Sequence, residues 1–287
     1  MGFFGLMSFT VYLGQVWVAV TVRLSLGFSP CPNDTLIFYA LTQNKIKRAP
    51  FVFEEFIEDV QTLNEKALRK ELHITKVSVA TYLKVKDDYE LLSSGGAIGR
   101  GCGPLLVTER IDNIKELNGA EIAIPGRLTT AYLLFLFYIK RTMKDFSFKP
   151  IFMTFDKIIP AIKKGNLRAG LIIHESRFTY ESQGLKALVD LGKWWESETG
   201  LPVPLGAIIA KKDLGEEIIK KIDSFIRESV IYGLNHLEEA LPYIRSYSQE
   251  LSEDVIIKHI RLYVNDFTIN MSDEGRRAIE TLGGIEI

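Results

Sequence analysis

His174 is the side chain in this sequence best placed to transfer a proton. It ends the apolar run 169–173, which predicts a buried strand, so its imidazole should lie at the carboxyl end of that strand. Histidine titrates near neutral pH and can therefore accept and return a proton under physiological conditions. The other histidines fall in turn or helical contexts: His73, His236 and His259. The alternative interpretation is a structural histidine at the edge of the core.

Polar side chains stand at two further points where a predicted strand or turn gives way to a helix. They are Lys76 and Ser78 at the first point, and Thr129 and Thr130 at the second. Hydroxyls and unpaired amides at a helix start suit a carboxylate, and a lysine ammonium adds another donor. Helix capping and a solvated lysine explain the same residues, and spacing alone does not separate the two interpretations.

The segment 29–35, with the sequence SPCPNDT, follows one predicted strand and opens a helix. Its prolines stiffen the loop, and Asn33, Asp34 and Thr35 are all residue types that cap helices. A rigid cap is one interpretation, and a helix start that directs polar donors toward a ligand is the other. Cys31 and Cys102 have no evident basic partner in the sequence and are interpreted as inert thiols.

Motifs for metal or dinucleotide binding are not matched. His174 and Glu175 do not begin a zinc-protease motif, because Phe178 occupies the position of the second histidine. The glycine-rich run 95–103 leads into a strand and lacks the spacing of a dinucleotide fingerprint. It is interpreted as a flexible turn. The sequence thus predicts no metal and no cofactor.

Alternating strand and helix patterns predict an α/β protein with parallel sheets covered by helices. Strands are predicted at 22–28, 51–57, 74–77, 90–93, 104–108, 121–125, 151–155, 169–174, 187–191 and 204–210. Helices are predicted at 36–44, from Asp59 to about 71, from 130 to about 140, and from Asp156 to near 165. The chain is expected to leave one lobe near 108–110 and return near 201–205. This predicts a discontinuous larger lobe, 1–109 with 205–287, and a smaller lobe, 110–204.

The first 22 residues are apolar and carry no charged side chain. Their length would permit a membrane span, but no basic residue precedes Arg23 as a signal peptide would require. We interpret them as an atypical extension, either an extra strand or disordered. A membrane anchor is the less favoured reading.

Composition places the chain among ordinary globular proteins. It has 287 residues, of which 47% are hydrophobic and 25% charged, and its net charge is −1. This balance provides no overall field for nucleic acid or for an anionic membrane. Only two cysteines are present, so a disulfide framework is excluded and a cytoplasmic location is expected.

Six blocks of the sequence together resemble the 1,4-dihydroxy-6-naphthoate synthase family. They are SPCPNDTLIFYAL at 29–41, EDVQTLNEKAL at 58–68, SGGAIGRGCGPLLV at 94–107, IPGRLTTAYLL at 124–134, GLIIHESRFTY at 170–180 and LPVPLGAI at 201–208. The resemblance implies a two-lobed fold like type II periplasmic binding proteins, with a central interlobe cleft. It also implies a lyase of the futalosine route to menaquinone, which converts cyclic dehypoxanthinylfutalosine to 1,4-dihydroxy-6-naphthoate without a cofactor.

The resemblance assigns roles to particular residues. His174 matches the family's catalytic histidine, a proposed base, and the segments 76–78 and 129–130 match its substrate-binding segments. Asn33 and Arg177 are included because they belong to the matching blocks. The implied partner is a small carboxylated substrate, with a monomer or homodimer as the assembly. The alternatives are a solute-binding protein of the same fold and chorismate dehydratase.

Overall fold

The computed structural model describes residues 21–248 and 252–284. The predictions made for residues 1–20 lie outside the described residues. Val22, the last residue of the predicted extension, already belongs to the first strand.

A six-stranded mixed sheet forms the larger lobe. Its strands are β1 (Val22–Phe28), β2 (Phe51–Ile57), β3 (Ile74–Ser78), β4 (Tyr89–Leu91), β5 (Ala97–Gly99) and β11 (Val203–Lys211). They follow the order β2-β1-β3-β11-β4, and β5 also pairs with β11. β1 runs parallel to β2 and β3, whereas β11 runs antiparallel to its neighbours.

A five-stranded mixed sheet forms the smaller lobe. Its strands are β6 (Leu105–Thr108), β7 (Glu121–Ile124), β8 (Lys149–Phe152), β9 (Ala169–Ile172) and β10 (Lys186–Asp190), in the order β10-β6-β9-β7-β8. β7 is parallel to β8 and β9, and β6 is antiparallel to β9 and β10. The prediction of parallel sheets is therefore corrected to mixed sheets, because β6 and β11 follow the two crossings between lobes and enter against the direction of their neighbours.

Helices cover both sheets. In the described residues they are α1 (Pro32–Thr42), α2 (Val60–Leu68), α3 (Val79–Val85), α4 (Thr130–Thr142), α5 (Phe155–Lys163), α6 (Ser176–Thr179), α7 (Leu191–Thr199), α8 (Glu216–Asn235), α9 (Leu237–Tyr247), α10 (Glu253–Tyr263), α11 (Asp266–Ile269) and α12 (Ser272–Gly283). The predicted Asp59 cap of α2 is confirmed, because its side chain accepts from the Gln61 amide at 2.8 Å.

Several predicted boundaries are corrected by local chemistry. α1 begins at Pro32 and not at Leu36, because proline's fixed φ suits the first turn of a helix. Thr154, not Asp156, holds the position before α5. β9 ends at Ile172, and the glycine-rich run predicted as a flexible turn contains β5.

The predicted boundary after residue 109 falls one strand too late. Leu105–Thr108 hydrogen-bonds only within the second sheet, so the first crossing precedes it. The return crossing ends where β11 begins at Val203. The two crossings lie side by side: Gly101 N donates to Glu196 Oε1 at 2.7 Å, and Arg100 donates to the Gly200 carbonyl at 3.0 Å.

The lobes share part of their apolar core. One buried cluster joins Val77 and Ile209 of the first sheet to Leu106 and Ile122 of the second, and includes Phe135 of α4. A second cluster lies within the larger lobe, and a third within the smaller. Across 21–248 and 252–284, none of the helices combines the length and hydropathy that a membrane crossing requires.

Candidate active site

A cavity of about 90 Å³ lies between the two lobes. The polar residues that line it include Asn33, Asp34, Lys76 and Ser78 from the larger lobe, Thr129, Thr130 and His174 from the smaller lobe, and His259 and Tyr263 from α10. Val77 also lines it, so the predicted site residues meet here with one exception, Arg177.

His174 follows β9 and enters the cavity lining through an unusual backbone conformation. Its φ is 55°, in the left-handed region that is costly for a residue with a side chain. Its Nδ1 lies 3.4 Å from Cys31 Sγ, and its ring packs against Phe155 at a centroid distance of 4.8 Å. The half-buried imidazole is thus held from two sides.

Cys31 has a basic neighbour that the sequence did not reveal. Burial raises the pKa of the Cys31 thiol well above its usual range, so at neutral pH the sulfur is an uncharged thiol beside His174. An uncharged thiol is a poor nucleophile, but it can still form a weak hydrogen bond. Because the Cys31 sulfur lies beside His174 Nδ1, we infer that it orients the imidazole. Burial also raises the pKa of Cys102, to about 12.

Lys76 and Asp34 form a buried ion pair in the wall of the larger lobe. Lys76 Nζ lies 2.7 Å from Asp34 Oδ1, with the side chains 6% and 3% exposed. The ammonium also donates to the Gly95 carbonyl at 3.1 Å, and the carboxylate accepts from Ser29 Oγ at 2.7 Å. An ammonium has three N–H groups, so one remains for a ligand. Asp34 was considered in the sequence only as a capping residue type.

Asn33 and His259 extend this network across the cavity wall. His259 Nε2 and Asn33 Oδ1 are 2.9 Å apart, and Asn33 Nδ2 donates to Asp34 Oδ1 at 2.8 Å. Burial, with His174 and Lys76 nearby, lowers the pKa of His259 well below its usual value. No pattern in the sequence singled out His259. Its place beside Ile256, Ile260 and Tyr263 on the buried face of α10 was the available signal.

Thr129 and Thr130 occupy the start of α4, and their hydroxyl protons are already used. Thr129 Oγ1 donates to the Gly126 carbonyl at 2.8 Å and accepts from Tyr132 N at 3.3 Å. Thr130 Oγ1 donates to the Leu205 carbonyl at 2.8 Å, which ties the smaller lobe to β11. The capping interpretation is therefore realised, and what α4 offers a ligand is its amide-rich, positively polarised end.

Ser78 occupies the position before α3 but makes no capping bond with its side chain. Instead Ser78 Oγ accepts from Asn64 Nδ2 at 3.1 Å, while Ser78 N donates to Asn64 Oδ1 at 2.8 Å. The Ser78 hydroxyl proton is consequently available to the cavity. Asn64, fully buried on α2, is a supporting residue that the sequence pattern did not single out.

Arg177 does not line the cavity. Its guanidinium donates to the Gly103 carbonyl at 2.6 Å and forms an ion pair with Asp190 at 2.8 Å. Both contacts join α6 to the start of the smaller lobe's sheet. The expectation that Arg177 binds substrate directly is therefore corrected: its donors serve the protein's own backbone and Asp190.

One group of potential metal donors occurs among the described residues. Ligand atoms of Cys31, His174 and Glu175 lie within 4.8 Å of one another. Sulfur, imidazole and carboxylate are a donor set that zinc accepts. The sequence-based expectation of no metal stays a prediction.

Sequence similarity to known proteins places the chain in a family. A sequence profile described as menaquinone biosynthesis matches residues 24–285. A protein of Thermus thermophilus named 1,4-dihydroxy-6-naphtoate synthase is 50% identical over 259 residues, which cover 90% of this chain and 92% of the relative. The chain belongs to the menaquinone biosynthesis family. A second member of the family, from Streptomyces coelicolor and of the same name, is 42% identical over 90% of this chain and 91% of its own.

Solved structures confirm the predicted fold class. A protein of Archaeoglobus fulgidus matches with a TM-score of 0.84 and 35% identity, over 91% of this chain and 95% of its own. The periplasmic aliphatic sulphonate binding protein of Escherichia coli matches with a TM-score of 0.61 and 13% identity, over 83% and 78%. This member of the menaquinone biosynthesis family therefore has a periplasmic-binding-protein-like fold.

Proposed function

We propose that the protein is a 1,4-dihydroxy-6-naphthoate synthase. It acts on cyclic dehypoxanthinylfutalosine in the futalosine route to menaquinone, as a carbon–carbon lyase without metal or redox cofactor. The observation that carries the proposal is His174, a half-buried imidazole that lines an interlobe cavity together with the Ser78 hydroxyl, the Lys76 cation and the start of α4. The curated relatives that bear this enzyme name cover nearly the whole chain.

The wall facing the substrate supplies donors for a carboxylate. These are the Ser78 hydroxyl, the remaining N–H of Lys76 and the first amides of α4 at Thr130 and Ala131. Two helix starts, of α1 and α4, contribute residues to the same cavity, and the positive end of each helix dipole favours an anion. A carboxylated ring system is therefore the substrate class this wall suits best.

His174 supplies the base. In the tautomer that carries its hydrogen on Nδ1, beside Cys31 Sγ, the lone pair of Nε2 is free to remove a hydroxyl proton from the sugar-derived ring. The oxygen then forms a carbonyl as the adjacent C–C bond breaks, in the manner of a retro-aldol reaction. The donors around the cavity stabilise developing oxyanions, and lobe closure excludes water.

Replacement of the base tests this proposal. We expect His174→Ala to reduce kcat by about 10²–10⁴-fold, since that is the usual contribution of general base catalysis. Product formation is measured chromatographically, and circular dichroism checks the fold. His236→Ala is the matched control, because His236 is exposed and lies outside the cavity lining. Near-normal turnover by His174→Ala would reject the assignment.

A parallel assay separates the alternatives. Purified protein is incubated with cyclic dehypoxanthinylfutalosine and, separately, with chorismate. Conversion of the first compound alone supports the proposal. Conversion of chorismate would identify a dehydratase, and tight binding without turnover would identify a solute-binding protein, as the fold permits.

A further inference from the structure

A thiol, an imidazole and a carboxylate meet where the two lobes face one another. The donor atoms of Cys31, His174 and Glu175 lie within 4.8 Å of one another, and Cys31 Sγ is 3.4 Å from His174 Nδ1. In a tetrahedral zinc site, Zn–S and Zn–N bonds of about 2.3 and 2.0 Å place sulfur and nitrogen about 3.5 Å apart. The spacing of these donors therefore suits one zinc ion after small movements of the side chains.

Two buried atoms at this cluster have no hydrogen-bond partner among the described residues. They are Glu175 Oε2 and His259 Nδ1, which lie 3.9 Å apart on side chains that are 10% and 1% exposed. Buried polar atoms almost always have partners, and an ion with its bound water is one explanation where they do not. A zinc ion would satisfy both atoms, since the carboxylate binds the metal and a water in the fourth position donates to His259 Nδ1.

Asn33 makes His259 Nδ1 an acceptor for such a water. Asn33 Nδ2 donates to Asp34 Oδ1 at 2.8 Å, so the amide oxygen of Asn33 faces His259 Nε2 at 2.9 Å. Nε2 therefore carries the hydrogen, and Nδ1 of the neutral ring presents a lone pair toward Glu175. A carboxylate oxygen cannot satisfy that lone pair, because it is itself an acceptor, whereas a metal-bound water can.

The charges of the donors match the charge of zinc. Zinc binds the thiolate form of cysteine, so the Cys31 proton leaves to solvent as the bond to the metal forms. The thiolate and the Glu175 carboxylate then carry two negative charges, which neutralise Zn²⁺, while His174 binds as a neutral imidazole. A buried site without net charge avoids the cost of burying an unpaired ion.

The donors come from both lobes, which gives the metal an entry path. Cys31 lies between β1 and α1 of the larger lobe, whereas His174 and Glu175 follow β9 of the smaller lobe. Cys31 and Glu175 are buried in the closed arrangement. A zinc ion would therefore reach them when the lobes separate, and its bonds would then hold the lobes together.

We propose that Cys31, His174 and Glu175 form a zinc site that inhibits the enzyme. The proposal rests on the lyase function, in which His174 Nε2 is the base. Zinc takes the lone pair of His174 Nδ1, so the hydrogen of the neutral ring lies on Nε2. Nε2 then has no lone pair with which to accept the hydroxyl proton of the substrate. The same ion also fixes the lobes in the closed arrangement and hinders entry of the substrate.

Metal titrations test the site without any turnover. Zinc is added to the metal-free protein in a calorimeter, and Co²⁺ serves as its spectroscopic substitute. We expect one ion per chain and a sulfur-to-cobalt charge-transfer band in the ultraviolet. Cys31→Ser should abolish the band and weaken zinc binding at least about 10-fold, since even an outer-shell partner is worth that much.

The other buried thiol provides the control. Cys102 lies outside the donor set, so Cys102→Ser should leave the zinc affinity and the cobalt band unchanged. Equal zinc affinity in the wild type and Cys31→Ser would overturn the site. Loss of the cobalt band in Cys102→Ser instead would overturn it as well, because the sulfur ligand would then be the wrong one.

Kinetics with and without zinc test the inhibition. Each protein is assayed on cyclic dehypoxanthinylfutalosine and compared with its own metal-free rate. We expect saturating zinc to slow the wild type by about 10²-fold or more, because the base is lost, and EDTA to restore the rate. Cys31→Ser should require at least about 10-fold more zinc for the same inhibition. Zinc that binds without slowing turnover, or that increases it, would overturn the proposal.

Failure of the lyase function gives a different result. If the metal-free wild type forms no product, the proposed activity is wrong. The stoichiometry of zinc and the cobalt spectrum still decide whether the three donors form a metal site, because neither measurement depends on turnover.

Discussion

The cavity contains two buried polar pairs that differ in one respect. Lys76 and Asp34 meet at 2.7 Å and have further partners, whereas Glu175 and His259 stand 3.9 Å apart with atoms unsatisfied. The first pair lies wholly within the larger lobe. The second joins Glu175 of the smaller lobe to His259 on α10 of the larger. The closed pair holds a fixed charge in the cavity wall, whereas the open pair leaves two buried atoms without hydrogen-bond partners among the described residues.

Asn33 connects the two pairs. It donates to Asp34 and accepts from His259, so the fixed pair sets the orientation of the open one. Pro30 precedes α1 and Pro32 begins it, and both restrict the backbone at this helix start. The first turn of α1 thus holds the Asn33 amide on which both pairs depend.

Breaking the closed pair should have the largest effect. Lys76→Met leaves the Asp34 charge buried without its cation, and we expect about 3–5 kcal/mol loss in the free energy of unfolding. Glu175→Met removes a carboxylate oxygen that has no hydrogen-bond partner among the described residues, so we expect a change of no more than about 1 kcal/mol. Urea unfolding measures both.

The double variant Lys76→Met with Asp34→Asn serves as the control for this prediction. It removes both charges, so most of the lost stability should return. Equal losses in Lys76→Met and Glu175→Met would refute the distinction between a closed and an open pair.

Loss of the contact that orients the base should have an intermediate effect. Cys31→Ala removes the partner of His174 Nδ1, and we expect kcat to fall about 10-fold, a positioning effect smaller than loss of the base itself. Cys31→Ser restores an acceptor at the same place and should recover most of the turnover, with KM unchanged in both variants. If alanine and serine behave alike, the sulfur does not orient the imidazole.

His73 provides a test with a smaller expected effect. Its ring already has a hydrogen-bond partner and lies away from the cavity. Its Nδ1 accepts from Ser25 N at 3.1 Å, and burial lowers its pKa from the usual value. The unfolded chain therefore binds the proton first as pH falls. The contribution of His73 is complete above about pH 6.5 and declines below it.

The matched variant is His73→Asn, which keeps an acceptor but does not titrate. We expect the wild type to lose up to about 1 kcal/mol more stability than this variant between roughly pH 7.5 and 5.5, the worth of one hydrogen bond. Urea unfolding at both pH values measures the difference. Parallel losses in the two proteins would show that the His73 contact does not titrate in this range.

Local patterns predicted much of the fold and part of the site. Strand and helix periodicity located most elements, and the strand-end rule located His174. The antiparallel entry of β6 and β11 was missed, because strand direction depends on which edge the chain reaches after each crossing. Boundaries moved wherever a specific residue, such as Pro32, decided the first turn.

The partners of the predicted residues were harder to foresee. Asn33 and His259 are separated by 226 positions, and no local pattern reports a contact of that range. Arg177 shows the opposite error, since membership of a matching block suggested substrate contact while its guanidinium binds Gly103 and Asp190. Block membership identifies the neighbourhood of a residue and not the direction of its side chain.

The two adjacent crossings between the lobes have a mechanical consequence. Since Gly99 pairs with Val203 and Gly101 donates to Glu196, the two crossings form one short connection, which we expect to bend more easily than it twists. If the lobes open, we expect them to rotate about this one connection. Glu175 would then return to the same place beside His259 each time the lobes close. A protease cut in either crossing segment would leave the two lobes joined by the other segment.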